Sequence, residues 1–159
     1  MRCARKRNND ASAVAGVRGP APLSPAAQAR QDEVGKRLAP GMTIALNNAA
    51  LVREAASLCA RAHPASAQLY RQAYRDWEDR NGAVVKRAYV LLAKYFPKTP
   101  RSEADAIALR SAYDTLGVVN RGVPAQRIKW CAQTGADIAN GKIDLINMEQ
   151  VALMLREKA

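Results

Sequence analysis

The sequence predicts an all-α protein, an irregular antiparallel bundle of about five helices that follows a flexible N-terminal tail. Apolar residues recur at helical spacings along several segments, and no segment shows the period-two alternation typical of strands. The composition is rich in alanine, leucine, arginine and glutamine, which favour helices. No run of about 18 apolar residues occurs, so no membrane span is predicted. At 159 residues the chain is expected to form one domain.

Residues 1–41 are predicted to be a flexible basic tail, and residues 42–159 a single helical domain. Repeated glycine and proline in residues 1–26 prevent a regular element. No apolar segment of about 7–15 residues follows the basic start, so these residues are not predicted to be a secretory signal. Ser24-Pro25 is expected to open a short peripheral helix that Pro40-Gly41 ends.

Caps and prolines predict where the first two helices of the domain begin and end. Thr43 is expected to cap a helix that His63-Pro64 closes, because the residue before a proline avoids helical geometry. The central helix then runs to Phe96. Asn81-Gly82 is expected to bend or break it, since both residues weaken a helix.

Three further helices are predicted after the central one. The first starts at Ser102 and stops at Gly117, and the second runs from Pro124 to Asn140-Gly141. Asp144 is expected to cap the last helix.

The central helix carries the apolar stripe around which the bundle is expected to pack. The stripe consists of Tyr70, Tyr74, Trp77, Asn81, Val84, Ala88, Leu91 and Tyr95. Asn81 is interpreted as a structural residue that bonds to a neighbouring helix or backbone group. The alternative is a ligand pocket formed with Tyr74 and Trp77. Trp77 and Trp130 are expected to pack in or near the core rather than to form a stacking platform.

Cys59 and Cys131 carry the most informative chemistry of the sequence. Paired, they would close a loop of about 70 residues and stabilise the fold by about 4 kcal/mol in the chain-entropy model. Such a bond would place the protein in an oxidising compartment. The alternative is two buried free thiols. A thiolate–imidazole pair of Cys59 with His63 is not favoured, because His63 is the only histidine and no zinc-like ligand spacing accompanies it.

The net charge of +11 predicts attraction to polyanions. The candidate basic surface consists of Lys86, Arg87, Lys94, Lys98, Arg101, Arg121, Arg127 and Lys129. A solvated face is the favoured interpretation, and a phosphate-binding patch is the alternative. A helix-turn-helix is not favoured, because about seven residues are expected between the two helices concerned.

Acidic residues of the central helix lie among arginines. Asp76, Glu78 and Asp79 are interpreted as one side of a solvated ion-pair face, with Arg75 and Asp79 as a pair four residues apart. A catalytic carboxylate pair is not favoured, because adjacent positions on a helix point apart. The sequence also lacks the common nucleotide-binding, hydrolase and zinc motifs. No cofactor and no metal site are therefore predicted.

Several of these residues form a recognisable pattern. Cys59, Trp77-x-x-Arg80-Asn81, Cys131 and Gly141-x-x-Asp144 resemble the pattern of small helical periplasmic proteins of proteobacteria, mostly of unknown function. The resemblance implies export, an oxidised cysteine pair and a helical bundle, and it implies no activity. We therefore expect a non-enzymatic module that binds a protein partner in the periplasm or after secretion. The alternative is a basic cytoplasmic protein associated with nucleic acid.

Overall fold

A computed structural model describes residues 23–158 and shows five α-helices in one bundle. They are α1 (Pro25–Ala62), α2 (Ala67–Tyr95), α3 (Arg101–Arg121), α4 (Pro124–Ala139) and α5 (Glu149–Leu155). Short 3-10 turns at Pro64–Ser66 and Leu145–Asn147 precede α2 and α5. No strand occurs among residues 23–158, so the predicted all-α class is confirmed. Residues 1–22, which form the larger part of the predicted tail, lie outside the described residues.

The long helix α1 passes through the predicted stop at Pro40-Gly41, so that prediction is wrong. Pro40 cannot donate a backbone hydrogen bond, which locally weakens the helix. Gly41 allows α5 to pack closely against α1, because an added Cβ there would clash with the carbonyl oxygen of Gln150. The tail–domain boundary predicted after residue 41 therefore falls inside α1. Leu38, on the tail side of that boundary, is only 3% exposed and belongs to the core.

The start and end of α1 follow local signals. Ser24 caps the start, where its Oγ accepts a hydrogen bond of 3.3 Å from the N–H of Ala27. At the other end, the N–H of His63 donates to the Cys59 carbonyl at 2.9 Å, and Pro64 follows as predicted. Thr43 was expected to cap a separate helix, but it lies within α1.

Two glycines predicted to interrupt helices do not do so. Helix α2 continues through Gly82, and α3 continues past Gly117 to Arg121. A glycine inside a helix costs only about 1 kcal/mol relative to alanine, which packing of the remaining residues easily outweighs. Only Gly122 and Val123 connect α3 to α4, in place of the seven residues expected from the sequence.

Helix α1 is the centre of the bundle, since it contacts each of the other four helices. The larger core cluster lies between α1, α2, α3 and the C-terminal elements, and Trp77, Leu91 and Met154 are among its residues. Trp77 is 2% and Leu91 0% exposed, so the aromatic stripe of α2 faces inward as predicted. The smaller cluster surrounds the two cysteines and includes Tyr70 and Leu116.

Candidate functional site

Asn81 is fully occupied by structural hydrogen bonds. Its side chain is on the inner face of α2, and the residue is 1% exposed. Nδ2 donates to the Trp77 carbonyl and to Asp144 Oδ1, both at 2.9 Å. Oδ1 accepts a hydrogen bond of 2.7 Å from the backbone N–H of Leu145. These bonds join α2 to the loop after α4, and at 1% exposure the side chain presents almost no surface to a ligand beside Tyr74.

Arg80 and Asp144 join α2 to the segment that follows α4. Arg80 Nε donates to Asp144 Oδ2 at 2.7 Å, and Nη2 donates to Oδ1 at 3.1 Å and to the Ile138 carbonyl at 2.7 Å. Burial raises the pKa of Asp144, but the hydrogen bonds from Arg80 and Asn81 outweigh it and hold the pKa below its ordinary value. Asp144 was expected to cap the last helix. Its side chain makes no capping bond, and α5 begins later, at Glu149.

Gly141 and Trp77 complete this polar cluster. Gly141 has a φ of +70°, which favours glycine, and an added Cβ would lie 2.9 Å from Asp144 Oδ2. Trp77 Nε1 donates to the carbonyl of Ile143 at 3.3 Å. The Trp77-x-x-Arg80-Asn81 and Gly141-x-x-Asp144 segments therefore meet, and their contacts fix the loop after α4 against α2.

A disulfide joins Cys59 of α1 to Cys131 of α4, as predicted, with the two Cα atoms 5.4 Å apart. Both residues are buried. The bond encloses α2 and α3, because the two cysteines are 72 residues apart in sequence. Cys59 is therefore not available for a thiolate–imidazole pair. The neighbouring His63 has a buried Nδ1 with no hydrogen-bond partner among residues 23–158.

The residues of the alternative ligand pocket, Tyr74, Trp77 and Asn81, do not share one site. Tyr74 and Trp77 border a groove of about 810 Å³ beside α2 that has both acidic and basic side chains around it. Burial raises the pKa of Tyr74, whose hydroxyl donates to Glu78 Oε1 at 3.3 Å. Asn81 points into the core, and Trp130 lies apart, half-buried against the disulfide cluster.

The candidate basic surface divides into two groups at opposite ends of α3. The first group lies near the start of α3 and consists of Lys86, Arg87, Lys94, Lys98 and Arg101. The second group lies at the α3–α4 junction and consists of Arg121, Arg127 and Lys129. Helix α3 has 21 residues, so its ends are about 30 Å apart. Arg127 donates to the carbonyls of Asn120 and Gly122 at 2.8 and 3.1 Å and thereby closes the end of α3. The eight residues do not form one continuous patch.

The first half of α2 borders an apolar groove of about 470 Å³ on its α4 side. Two aliphatic side chains lie open to solvent there, Leu69 at 71% and Ile128 at 41% exposure. Tyr70 packs tightly against Gly135 of α4, where an added Cβ would lie 3.0 Å from the ring. His63, with its unpartnered Nδ1, also lines this groove.

A second groove, of about 430 Å³, lies between α2 and α1, on the other side of α2 from the apolar groove. Four arginines line it, Arg53 and Arg61 of α1 and Arg71 and Arg75 of α2. The predicted ion pair of Arg75 with Asp79 does not form among the described residues. Sequence reasoning missed this groove. The sequence signal that could have indicated the groove is the spacing of the arginines. Arg53 and Arg61 lie on one face of α1, and Arg71 and Arg75 lie on one face of α2.

Among residues 23–158, no three histidine, cysteine or acidic side chains are grouped so that they could hold a metal ion. Among the same residues, no helix has the length and hydrophobicity of a membrane span. Comparison with protein-family models, curated proteins and solved structures finds no match to this chain.

Proposed function

We propose that this chain is a non-enzymatic helical module that binds a protein partner through the apolar groove between α2 and α4. The observation that carries the proposal is that two exposed aliphatic side chains, Leu69 and Ile128, lie at one apolar groove. Exposed apolar surface around a groove is typical of interaction sites.

The dimensions of the groove suit side chains from a partner. A volume of about 470 Å³ accepts one or two large apolar side chains, which typically supply most of an interface's affinity. Gln72 and Asp76 provide a polar rim around the apolar lining.

The groove is supported by rigid packing, which favours tight binding. Tyr70 is fixed against Gly135, and Cys131 on the same helix is anchored by the disulfide to α1. A preformed surface loses little conformational entropy when a partner binds. The proposed function therefore needs no rearrangement of α2 or α4.

We place this binding outside the cytoplasm. The disulfide supports this, because such bonds persist in the periplasm and in secreted proteins and are rare in the cytosol. The resemblance to small helical periplasmic proteins points the same way. Thiol titration of natively produced protein, unfolded in urea so that both buried sulfur atoms are accessible, tests the location: Cys59 and Cys131 should not react until reductant is added. Thiols at both positions that react before reductant is added would contradict it.

Site-specific photo-crosslinking in producing cells tests the binding surface. A photo-reactive residue at position 69 should yield one defined adduct with another protein, and Ile128→Asp should abolish it. The matched control is position 153, since Leu153 is also exposed, at 41%, but lies on α5 away from the groove. Equal adducts from positions 69 and 153, or an adduct unaffected by Ile128→Asp, would refute the proposal.

A further inference from the structure

The groove between α1 and α2 collects four guanidinium groups in a small space. Arg53 and Arg61 come from α1, and Arg71 and Arg75 come from α2. The remaining lining residues are small or aromatic: Ala56, Ser57, Ala60 and Tyr74. The groove therefore combines a concentrated positive charge with an apolar floor, in a volume of about 430 Å³.

Most of this positive charge is not neutralised within the fold. Arg53 is the one groove arginine that forms an ion pair with a described residue, Glu54, at 3.1 Å. Arg61 donates to the neutral Ser57 Oγ at 2.6 Å, and Arg75 donates to the neutral amide of Gln72. Each guanidinium has five N–H donors, so most donors remain available to a bound anion.

The arrangement of the groove favours carboxylates as the anion. Guanidinium groups bind carboxylates and phosphates in two-point geometry. Arg53 already bonds to a carboxylate, that of Glu54, at the edge of the groove. The methylene groups of glutamate side chains also suit the apolar floor of the groove.

We propose that this groove binds the carboxylate side chains of an acidic segment in the protein partner. This inference rests on the protein-binding function proposed above and adds the chemistry of the partner. The apolar groove binds aliphatic or aromatic side chains on one flank of α2. On the other flank, the arginines bind glutamate or aspartate. A partner that engages both grooves therefore presents an apolar anchor next to an acidic stretch.

Isothermal titration calorimetry of the full chain with a hexaglutamate peptide, at low salt, tests this inference. The double variant Arg71→Gln/Arg75→Gln should weaken binding about tenfold or more, because it removes two charged donors from the groove. The control Arg110→Gln/Lys129→Gln removes the same charge from exposed positions outside the groove and should weaken binding less than about twofold, by long-range charge alone. Equal weakening in the two double variants would overturn the inference.

Further arms of the experiment separate the alternatives. Arg71→Lys/Arg75→Lys keeps the charge but loses the planar fork, so its affinity should fall between wild type and the glutamine variant. A single-stranded oligonucleotide that binds more tightly than the peptide, and depends on the same arginines, would overturn the acidic-protein assignment. Ile128→Asp should weaken peptide binding by less than about twofold, by long-range charge alone. If Ile128→Asp abolishes crosslinking but hexaglutamate does not bind to the wild-type protein, then this inference fails and the proposed function stands. If the peptide binds but no crosslinked partner is found, then the proposed function at the apolar groove fails and only the carboxylate-binding chemistry of the arginine groove stands.

Discussion

Replacing Asn81 with alanine is expected to destabilise the fold by about 2–3 kcal/mol. The N–H of Leu145, a residue with 0% exposure, loses its acceptor, and an unpaired buried donor costs about 1–3 kcal/mol. The carboxylate of Asp144 loses a hydrogen bond worth about 1.5 kcal/mol, which water replaces in part. The better helix propensity of alanine returns about 0.5 kcal/mol.

Thermal and urea unfolding, monitored by far-ultraviolet circular dichroism, measure this effect. For a chain of this size the loss corresponds to a fall in Tm of about 5–10 °C. Gln68→Ala is the matched control, because it removes an exposed amide from the same helix and should change stability by less than about 0.5 kcal/mol. An Asn81→Ala protein as stable as this control would refute the reasoning that the buried amide holds the loop after α4 to α2.

The remaining predictions concern charge, covalent bonding and close packing. Because the pKa of Asp144 is lowered in the fold, its stabilisation is present above about pH 4 and is lost as the pH falls through that lowered pKa. Asp144→Asn should therefore flatten the acid limb of a plot of urea midpoint against pH, and an unchanged limb would count against the Asp144 contacts. Reduction of the Cys59–Cys131 bond should lower the free energy of unfolding by about 4 kcal/mol. Urea midpoints that are the same with and without reductant would contradict this. Gly41→Ala should cost about 1–3 kcal/mol by overpacking against Gln150 and should accelerate amide hydrogen exchange in α5. Unchanged exchange would show that α5 does not depend on this contact.

Local periodicity was sufficient to predict the fold class and the buried face of α2. Trp77 and Leu91 occupy positions of one helical stripe, and helical geometry alone places them on the same side. The cysteine pairing was also open to prediction, because both residues lie on apolar faces of predicted helices. These features depend on short-range pattern, and the sequence carries that pattern directly.

Features that depend on long-range packing were not predictable in the same way. Pro40 and Gly41 have the local signature of a helix end, yet α1 continues through them, and Gly41 lies close to Gln150, more than a hundred residues later. The arginine groove likewise depends on how α1 and α2 pack together. Spacing alone predicts a pair of Arg75 with Asp79. In the structure, Arg75 lies at the groove between α1 and α2 and donates to Gln72.

The unbroken α1 determines how the chain can be shortened. A fragment starting at residue 42 would cut this helix near its middle and would discard Leu38. It would also lose the hydrogen bond of 2.9 Å from Gln31 to the Lys94 carbonyl and the close approach of Gly35 to Tyr95. The far end of α2 would then lose the packing of α1 over its last turns. Trimmed versions for crystallisation or spectroscopy should therefore retain Ser24 and everything after it.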